Sequence, residues 1–285
     1  MDAIGFAEAI KYYKGKKVFL TGHTGFKGSW LTLLLKQFGA EIRGFSLTPH
    51  TTPNHFTMLS IKDEINDIAG DIRNYNELKR AIREFEPEII FHLAAQAIVK
   101  NSYSDPLHTY NTNTIGTANL LEASKDTNSV KSVVCITSDK CYENFEWTWG
   151  YRENDVLGGF DPYSASKAAA ELIFSSYQRS FFSKKPFLGA ATARAGNVIG
   201  GGDWSEHRLI PDLIKSISSN LPVKIRNPLS TRPWQHVLEP LSGYILLAVN
   251  LITNKELFSG SWNFGPSSMD IMSVKQVIEI IISKL

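Results

Sequence analysis

An apolar run, Lys17-Val-Phe-Leu-Thr21, leads into three glycines spaced Gly-x-x-Gly-x-x-Gly, in Gly22-His-Thr-Gly25-Phe-Lys-Gly28, and these open the helical stretch Ser29 to Phe38. Glycines in such a turn permit a tight bend. They also let a pyrophosphate reach the helix N-terminus, where unpaired N–H groups and the helix dipole favour negative charge. A glycine triplet alone equally suits an ordinary turn; the strand before it and the helix after it make it a dinucleotide fingerprint. Further strands are expected at Glu41 to Phe45, Glu88 to Leu93, Ser132 to Ile136 and Phe187 to Ala193. Helical stretches around Tyr75 to Phe85, Leu107 to Lys125 and Ser164 to Phe182 separate them. The alternation predicts an α/β fold, a Rossmann-type doubly wound parallel sheet with helices on both faces.

After Arg194 the texture changes, with Gly200-Gly-Gly-Asp203, Pro211, Pro222, Pro228 and Pro233 dividing shorter apolar runs. The expected division is a dinucleotide-binding domain over residues 1–194, rejoined by 232–255, and a smaller substrate lobe from 195–231 and 256–285. Ser273 to Leu285 has a helical apolar pattern that stops without a capping glycine or trailing loop. The lobe is therefore expected to be incomplete.

With 285 residues, 43% hydrophobic and 20% charged, the chain can bury a substantial core. Basic residues exceed acidic ones by two, and the Lys11, Lys14, Lys16, Lys17 cluster has no aromatic reading platform after it, which argues against nucleic acid. No apolar run approaches membrane-spanning length, and residues 1–16 lack a cleavage-like small-residue ending, so no membrane partner and a cytoplasmic location are expected. Cys135 and Cys141 have no further cysteine to form a tetrad; the reading is no metal and a reducing compartment.

The cofactor candidates follow the strand ends. Gly22, Thr24, Gly25, Phe26, Lys27 and Gly28 form the turn, and Leu93, Ala94 and Ala95 end another strand with side chains that suit either close cofactor approach or packing. Asp71 and Ile72, after a strand-like stretch, are placed at an adenine edge. Where an acidic residue commonly holds the NAD ribose, the second strand ends in Ser46, which supplies no carboxylate. NAD is nonetheless preferred to NADP, because Arg43 is interior to its strand and no clamp for a 2′-phosphate.

Tyr163 and Lys167 lie four residues apart, one helical turn, on one face. A neighbouring ammonium, together with the positive charge of an oxidised nicotinamide, is expected to lower the tyrosine pKa and let it accept a hydroxyl proton as hydride leaves carbon. Ser138-Asp139-Lys140 follows the apolar run Ser132 to Ile136 and adds an acid and an amine that simple alcohol oxidation does not use. Next to a newly formed ketone, such a pair serves elimination: one group removes a proton and the other protonates a departing hydroxyl. Asp139 then requires a raised pKa, and Lys140 a lowered one, which burial supplies. The alternative is an ion pair capping a strand end.

Six stretches together resemble the extended short-chain dehydrogenase/reductase family, in its sugar-nucleotide epimerase and dehydratase group. They are Thr21 to Trp30, Phe91 to Gln96, Ser138 to Tyr142, Trp149 to Glu153, Arg194 to Trp204 and Arg232 to Val237. The Ser138-Asp139-Lys140 form, in place of a Thr-Asp-Glu seen in dTDP-sugar relatives, points to the CDP-sugar branch. The resemblance implies NAD as cofactor and a nucleotide-activated glucose as substrate, CDP-glucose first. The reaction implied is oxidation at C4, loss of water across C5 and C6, and reduction at C6 to the 4-keto-6-deoxy sugar.

By that likeness Tyr163 is the base at O4, Lys167 orients it, Ser138 holds the C4 oxygen and Asp139 protonates the departing C6 hydroxyl. Lys140 either takes the C5 proton or tunes Asp139. Gln96, Asn197, Arg208 and Arg232 are matched to substrate positions, and Asn113 to a helix position that props the site. Each arginine is alternatively a surface residue. Trp147 and Trp149 read as packing before substrate cover, and His236 as structural. A homodimer or higher homo-oligomer is expected through the helices around Leu107 to Lys125 and Ser164 to Phe182. The rival readings are a sugar-nucleotide 4-epimerase or reductase and a noncatalytic NAD-binding homologue.

Overall fold

The computed structural model describes residues 3–223, 225–267 and 271–284. Its strands are β1 (Lys17–Thr21), β2 (Glu41–Ser46), β3 (Asn66–Ala69), β4 (Ile89–His92), β5 (Ser132–Ile136), β6 (Gly189–Ala195), β7 (Val198–Ile199), β8 (Thr231–Arg232), β9 (Gln235–His236), β10 (Gly260–Phe264) and β11 (Met272–Ser273). The helices before β5 are α1 (Phe6–Tyr12), α2 (Phe26–Gln37), α3 (His55–Met58), α4 (Tyr75–Phe85), α5 (Val99–Ser104), α6 (Pro106–Tyr110) and α7 (Gly116–Lys125). After it come α8 (Pro162–Ser180), α9 (Leu209–Ser218), α10 (Leu238–Thr253), α11 (Lys255–Phe258) and α12 (Val274–Ile282).

Seven strands form one sheet in the order β10-β6-β5-β4-β1-β2-β3, and every neighbouring pair is parallel. This is a doubly wound sheet of Rossmann type. Strand side chains alternate between two cores. Val18, Leu20, Ile89, Phe91, Val134 and Ile136 face α2 and α10, where Leu31, Leu35, Leu241 and Ile245 cover them. Phe19, Ile90, Val133 and Cys135 face α4, α7 and α8, where Leu78, Ile82, Leu120 and Phe174 cover them. Burial on both faces explains why these strands read as continuous apolar runs.

Several boundaries differ from the sequence reading. The helix expected from Ser29 starts at Phe26, so Gly28 lies in its first turn. Strand β6 runs from Gly189 to Ala195, two residues beyond the Phe187 to Ala193 expectation, and Phe187 is 80% exposed. Its bulk mimicked a strand residue, whereas the small residues after it fit between α8 and α10. The Leu107 to Lys125 stretch is α6 and α7 joined by a π-helical turn, Asn111–Ile115. Residues 260–264 were expected in the substrate lobe; instead β10 pairs with β6 along one sheet edge. The expected C-terminal helix is α12, and Leu285 lies outside the described residues.

Beyond the sheet, β7 pairs with β9 and β8 with β11, small two-stranded units at the carboxyl ends of the main strands. No helix among the described residues is long and apolar enough to cross a membrane.

Phe91, 0% exposed at the centre of β4, tests the two-faced core. Phe91→Ala is expected to lower unfolding stability by about 3–5 kcal/mol, read from urea denaturation midpoints. A loss under about 1 kcal/mol would show that the sheet does not depend on this packing.

Candidate active site

Strand order reverses between β1 and β4, and the crevice there is where an open α/β sheet binds its ligand. Two glycines shape it. Gly22 has φ +72°, and a Cβ on it would lie 2.6 Å from the Ala94 nitrogen; a Cβ on Gly28 would lie 2.0 Å from the Gly22 carbonyl oxygen. Gly25 caps α2 without a side-chain hydrogen bond, which leaves the first-turn N–H groups for an anion. The Leu93 N–H donates to the Thr21 carbonyl at 3.1 Å, and the Ala94 N–H to the Thr21 hydroxyl at 3.2 Å. Leu93, Ala94 and Ala95 are half-buried there.

Other cofactor candidates sit differently. The Thr24 hydroxyl donates to the Leu47 carbonyl at 2.9 Å and shares a 2.8 Å hydrogen bond with Ser46, so the two hydroxyls close the end of β2 on each other. Asp71 accepts from the Arg73 backbone N–H and side-chain Nε, and these bonds hold its carboxyl below the usual range. Ile72 is a core residue, 4% exposed, with its side chain against Gly116. Lys27 departs most from its cofactor assignment. Its ammonium lies 3.5 Å from the Tyr244 hydroxyl, among the charges of Arg208, Lys167 and Asp139. The glycine clearances and uncapped helix fit a dinucleotide pyrophosphate; the β2 end offers hydroxyls in place of a carboxylate.

The segment after β5 carries the chemical groups. Ser138 caps a short 3-10 turn, Asp139–Cys141, by accepting from the Lys140 N–H at 3.3 Å. It donates to Asp139 Oδ1 at 3.0 Å and is hydrogen-bonded with Tyr163. Tyr163 and Lys167 reach this point because Asp161 and Pro162 start α8 there. The Asp161 carboxylate accepts from the Ser164 N–H at 3.0 Å and from its hydroxyl at 2.7 Å, and proline presets the first helical φ.

Burial dominates the electrostatics. It raises the Asp139 carboxyl; the Ser138 hydrogen bond and the charges of Lys140 and Lys27 oppose this without reversing it. A Cβ on Gly196 would meet Pro233 at 2.7 Å and Asp139 Oδ2 at 3.0 Å, so the chain at Gly196 passes close to the carboxyl with Pro233 beside it. Burial lowers Lys167 to about 8 against the pull of Glu171, and its ammonium donates to the Ile136 carbonyl at 3.3 Å. The Lys167 ammonium does not by itself lower Tyr163. Burial pushes its hydroxyl up to about 12 despite the Ser138 hydrogen bond, while Lys167 turns to a backbone carbonyl. Lys140 is exposed, so the burial expected to neutralise it is absent.

The substrate candidates divide. Arg208 pairs with Asp203 at 2.8 Å, and its charge reaches Lys27 and Tyr163. Asn197 is half-buried, its carbonyl accepting from the Gln235 N–H at 3.0 Å. Gln96 is engaged at both ends, donating to Thr109 at 2.9 Å and accepting from the Ile98 N–H at 2.6 Å, which ties the amide to its own loop. Arg232 is exposed on β8, where it pairs with Met272 of β11, and donates to the Thr231 carbonyl at 2.7 Å.

Asn113 sits in the π turn, where the widened helix lets it accept from the Gln96 N–H at 2.8 Å and donate to Ser166 at 2.9 Å. Trp147 stacks on Trp149 at 5.1 Å within an aromatic row. His236 is exposed and accepts from the Leu238 N–H at 3.4 Å.

Sequence reasoning missed Glu171 and Arg194, which pair at 2.7 Å behind the site. Helical spacing offered a signal for Glu171, four residues past Lys167; Arg194 heads one of the stretches that carry the resemblance, with no role given to it. It also missed His92, held by the Thr21 and Thr117 hydroxyls and driven by burial to about 3.

Residues 19–255 match the GDP-mannose 4,6 dehydratase family, and the chain belongs to that family. Its crevice is that of an extended short-chain dehydrogenase/reductase. Among relatives, the CDP-glucose 4,6-dehydratase of Salmonella typhimurium is 52% identical over 272 residues, which cover 94% of this chain and 76% of that enzyme. The epimerase Mth375 of Methanothermobacter thermautotrophicus superposes with a TM-score of 0.80 at 24% identity, covering 98% of this chain and 80% of that one. The dTDP-glucose 4,6-dehydratase of Bacillus anthracis, solved with NAD, gives 0.77 at 25% identity, covering 94% and 80%.

Lys27 provides a test by pH. Burial and then the charges of Arg208 and Lys167 lower it from 10.5 to about 7. The folded chain thus binds fewer protons than the unfolded one between those values, and the destabilisation fades as pH rises through them. Lys27→Met is expected to stabilise the fold fully below about pH 7, with a gain that shrinks towards pH 10.5 in urea denaturation. A gain that grows with pH would overturn this electrostatic account.

Proposed function

We propose that this chain is a NAD-dependent nucleotide-sugar 4,6-dehydratase acting on CDP-glucose, a hydro-lyase. The observation that carries this reading is Asp139: a carboxyl raised by burial, hydrogen-bonded to Ser138, in the crevice that also holds Tyr163 and Lys167. An epimerase has little use for a protonated acid there. The 52% identical Salmonella enzyme supports both the reaction and the nucleotide.

The first-turn amides of α2, with Gly22 and Gly28 clearing the approach, hold the cofactor pyrophosphate in this reading. NAD bound there would supply an acceptor for the hydride of C4 and the donor of that hydride to C6. Tyr163 removes the O4 proton, and added positive charge beside it offsets the burial that holds its hydroxyl near 12. Ser138, already joined to Tyr163, holds the C4 oxygen. Lys140, exposed on the turn, takes the C5 proton as the neutral amine, having first given its own extra proton to water. Asp139, whose carboxyl burial raises, gives its proton to the departing C6 hydroxyl. Arg208 faces the substrate diphosphate from the lobe formed by residues 195–231 and the chain after β10.

The chain is proposed to be a homo-oligomer through α6, α7 and α8, where Leu107 is 74% and Leu172 60% exposed. Sedimentation velocity is expected to give a dimer or larger; a monomer refutes this. Cys135 and Cys141, both buried and unpaired, fit a cytoplasmic setting.

Incubation with NAD and a panel of CDP-, dTDP-, GDP- and UDP-glucose is expected to yield a 4-keto-6-deoxy product, detected by its alkaline absorbance, fastest from CDP-glucose. A C4 epimer as the product would overturn the reading. Asp139→Asn is expected to retain C4 oxidation while water loss falls by about 10²–10⁴-fold. Equal loss of both steps would remove Asp139 from the acid role.

A further inference from the structure

The catalytic segment is gripped at both flanks by one buried ion pair. Before it, the Thr137 hydroxyl donates to Glu171 Oε1. After it, Arg194 Nη1 donates to the Tyr142 hydroxyl at 2.7 Å, while Arg194 Nη2 donates to Glu171 Oε2 at 2.7 Å. The Tyr142 hydroxyl in turn donates to Asn263 Oδ1 at 2.8 Å on β10, and the guanidinium sits 5.0 Å from the Tyr142 ring. Glu171 and Arg194 are 1% and 3% exposed at their side chains.

Enclosing such a pair is no sure gain in stability over apolar residues of the same volume. Its use is then to be sought in what it holds. Between Thr137 and Tyr142 lie Ser138, Asp139, Lys140 and Cys141, a single 3-10 turn leaving the sheet. Such a turn has one or two backbone hydrogen bonds of its own, here Cys141 N–H to the Ser138 carbonyl at 3.2 Å and Tyr142 N–H to the Asp139 carbonyl at 3.4 Å. Its position therefore depends on its flanks. Catalysis is sensitive to displacements on the order of 1 Å.

We propose that Glu171, Arg194 and Tyr142 are positioning residues for the elimination half of the reaction, fixing the turn that carries Asp139 and Lys140 against the substrate. The inference rests on the dehydratase reading above. Tyr163 enters the site from α8 through its own Asp161 cap and Ser138 sits at the Thr137 end of the turn, so loosening the Tyr142 end bears on Asp139 and Lys140 before it bears on C4 oxidation. Tyr142→Phe removes the hydroxyl between Arg194 and Asn263 and keeps the ring. Arg194→Lys keeps a charge opposite Glu171 without the second arm.

Single turnovers of CDP-glucose with NAD in D₂O, quenched chemically, separate three quantities: the 4-keto hexose still bearing its C6 hydroxyl, the 4-keto-6-deoxy product, and deuterium at C5. Tyr142→Phe is expected to slow water loss and C5 exchange roughly tenfold, with C4 oxidation within about twofold, so that the 4-keto hexose accumulates. Arg194→Lys is expected to behave alike, and Tyr142→Phe decides alone if the lysine variant does not fold. Proportional loss of both half-reactions, or unchanged elimination, overturns the proposal. A wild-type chain that forms no 4-keto-6-deoxy product overturns the dehydratase reading and this inference with it, a result separable from the others.

Discussion

Removal of charged side chains from water at the carboxyl ends of β1, β5 and β6 is the constraint on which the site depends. One physical cause acts in opposite directions on acids and bases, since burial penalises the charged form of each. It raises Asp139 and Tyr163 and lowers Lys27 and Lys167. The result is a crevice whose acid holds its proton and whose amines shed theirs more readily than in water. Neither property belongs to the residue types; both come from the apolar strands beneath and from the chain at Gly196, which passes close to Asp139 with Pro233 beside it.

The two ends of the crevice are built by different means. At the cofactor end, backbone clearance decides: Gly22 and Gly28 have no Cβ, and the positive φ of Gly22 turns the chain beneath Ala94. At the sugar end, side-chain hydrogen bonds decide, through Ser138, the Asp161 cap and the Asn113 brace. The glycine spacing and the Ser138 and Asp161 bonds are local in sequence, whereas the braces behind them join residues far apart in the chain. The Asn113 to Ser166 bond spans 53 positions and the Arg194 to Tyr142 bond 52.

That difference explains how much was legible in the sequence. Tyr75–Phe85 and Ser132–Ile136 coincide with their expected spans, because α4 carries a clear apolar stripe and β5 is apolar on both faces. Strand β10, Gly-Ser-Trp-Asn-Phe, gave no such signal; it lies at the sheet edge with its residues only half-buried or exposed. The proximity of Tyr163 to Lys167 follows from helical spacing, and that of Ser138 to Asp139 from adjacency. Electrostatic consequences did not follow. Exposure of Lys140, the rise of Tyr163 and the return of Arg232 onto its own strand depend on neighbours that only the folded chain supplies.

The Glu171–Arg194 pair shows why such neighbours matter for a reaction in stages. Glu171 lies one helical turn beyond Lys167 and raises its pKa, while the same carboxylate accepts from Thr137 at the head of the segment carrying Asp139. Arg194 satisfies that carboxylate and reaches Tyr142 at the segment's tail. The helix that carries Lys167 and the segment that carries Asp139 thereby touch one buried carboxylate, while the arm to Tyr142 reaches the segment alone. A chemistry in which oxidation must precede elimination on a single sugar needs both sets of groups held in one frame. A rigid pair behind the sheet ends supplies that frame even where its burial adds little to stability.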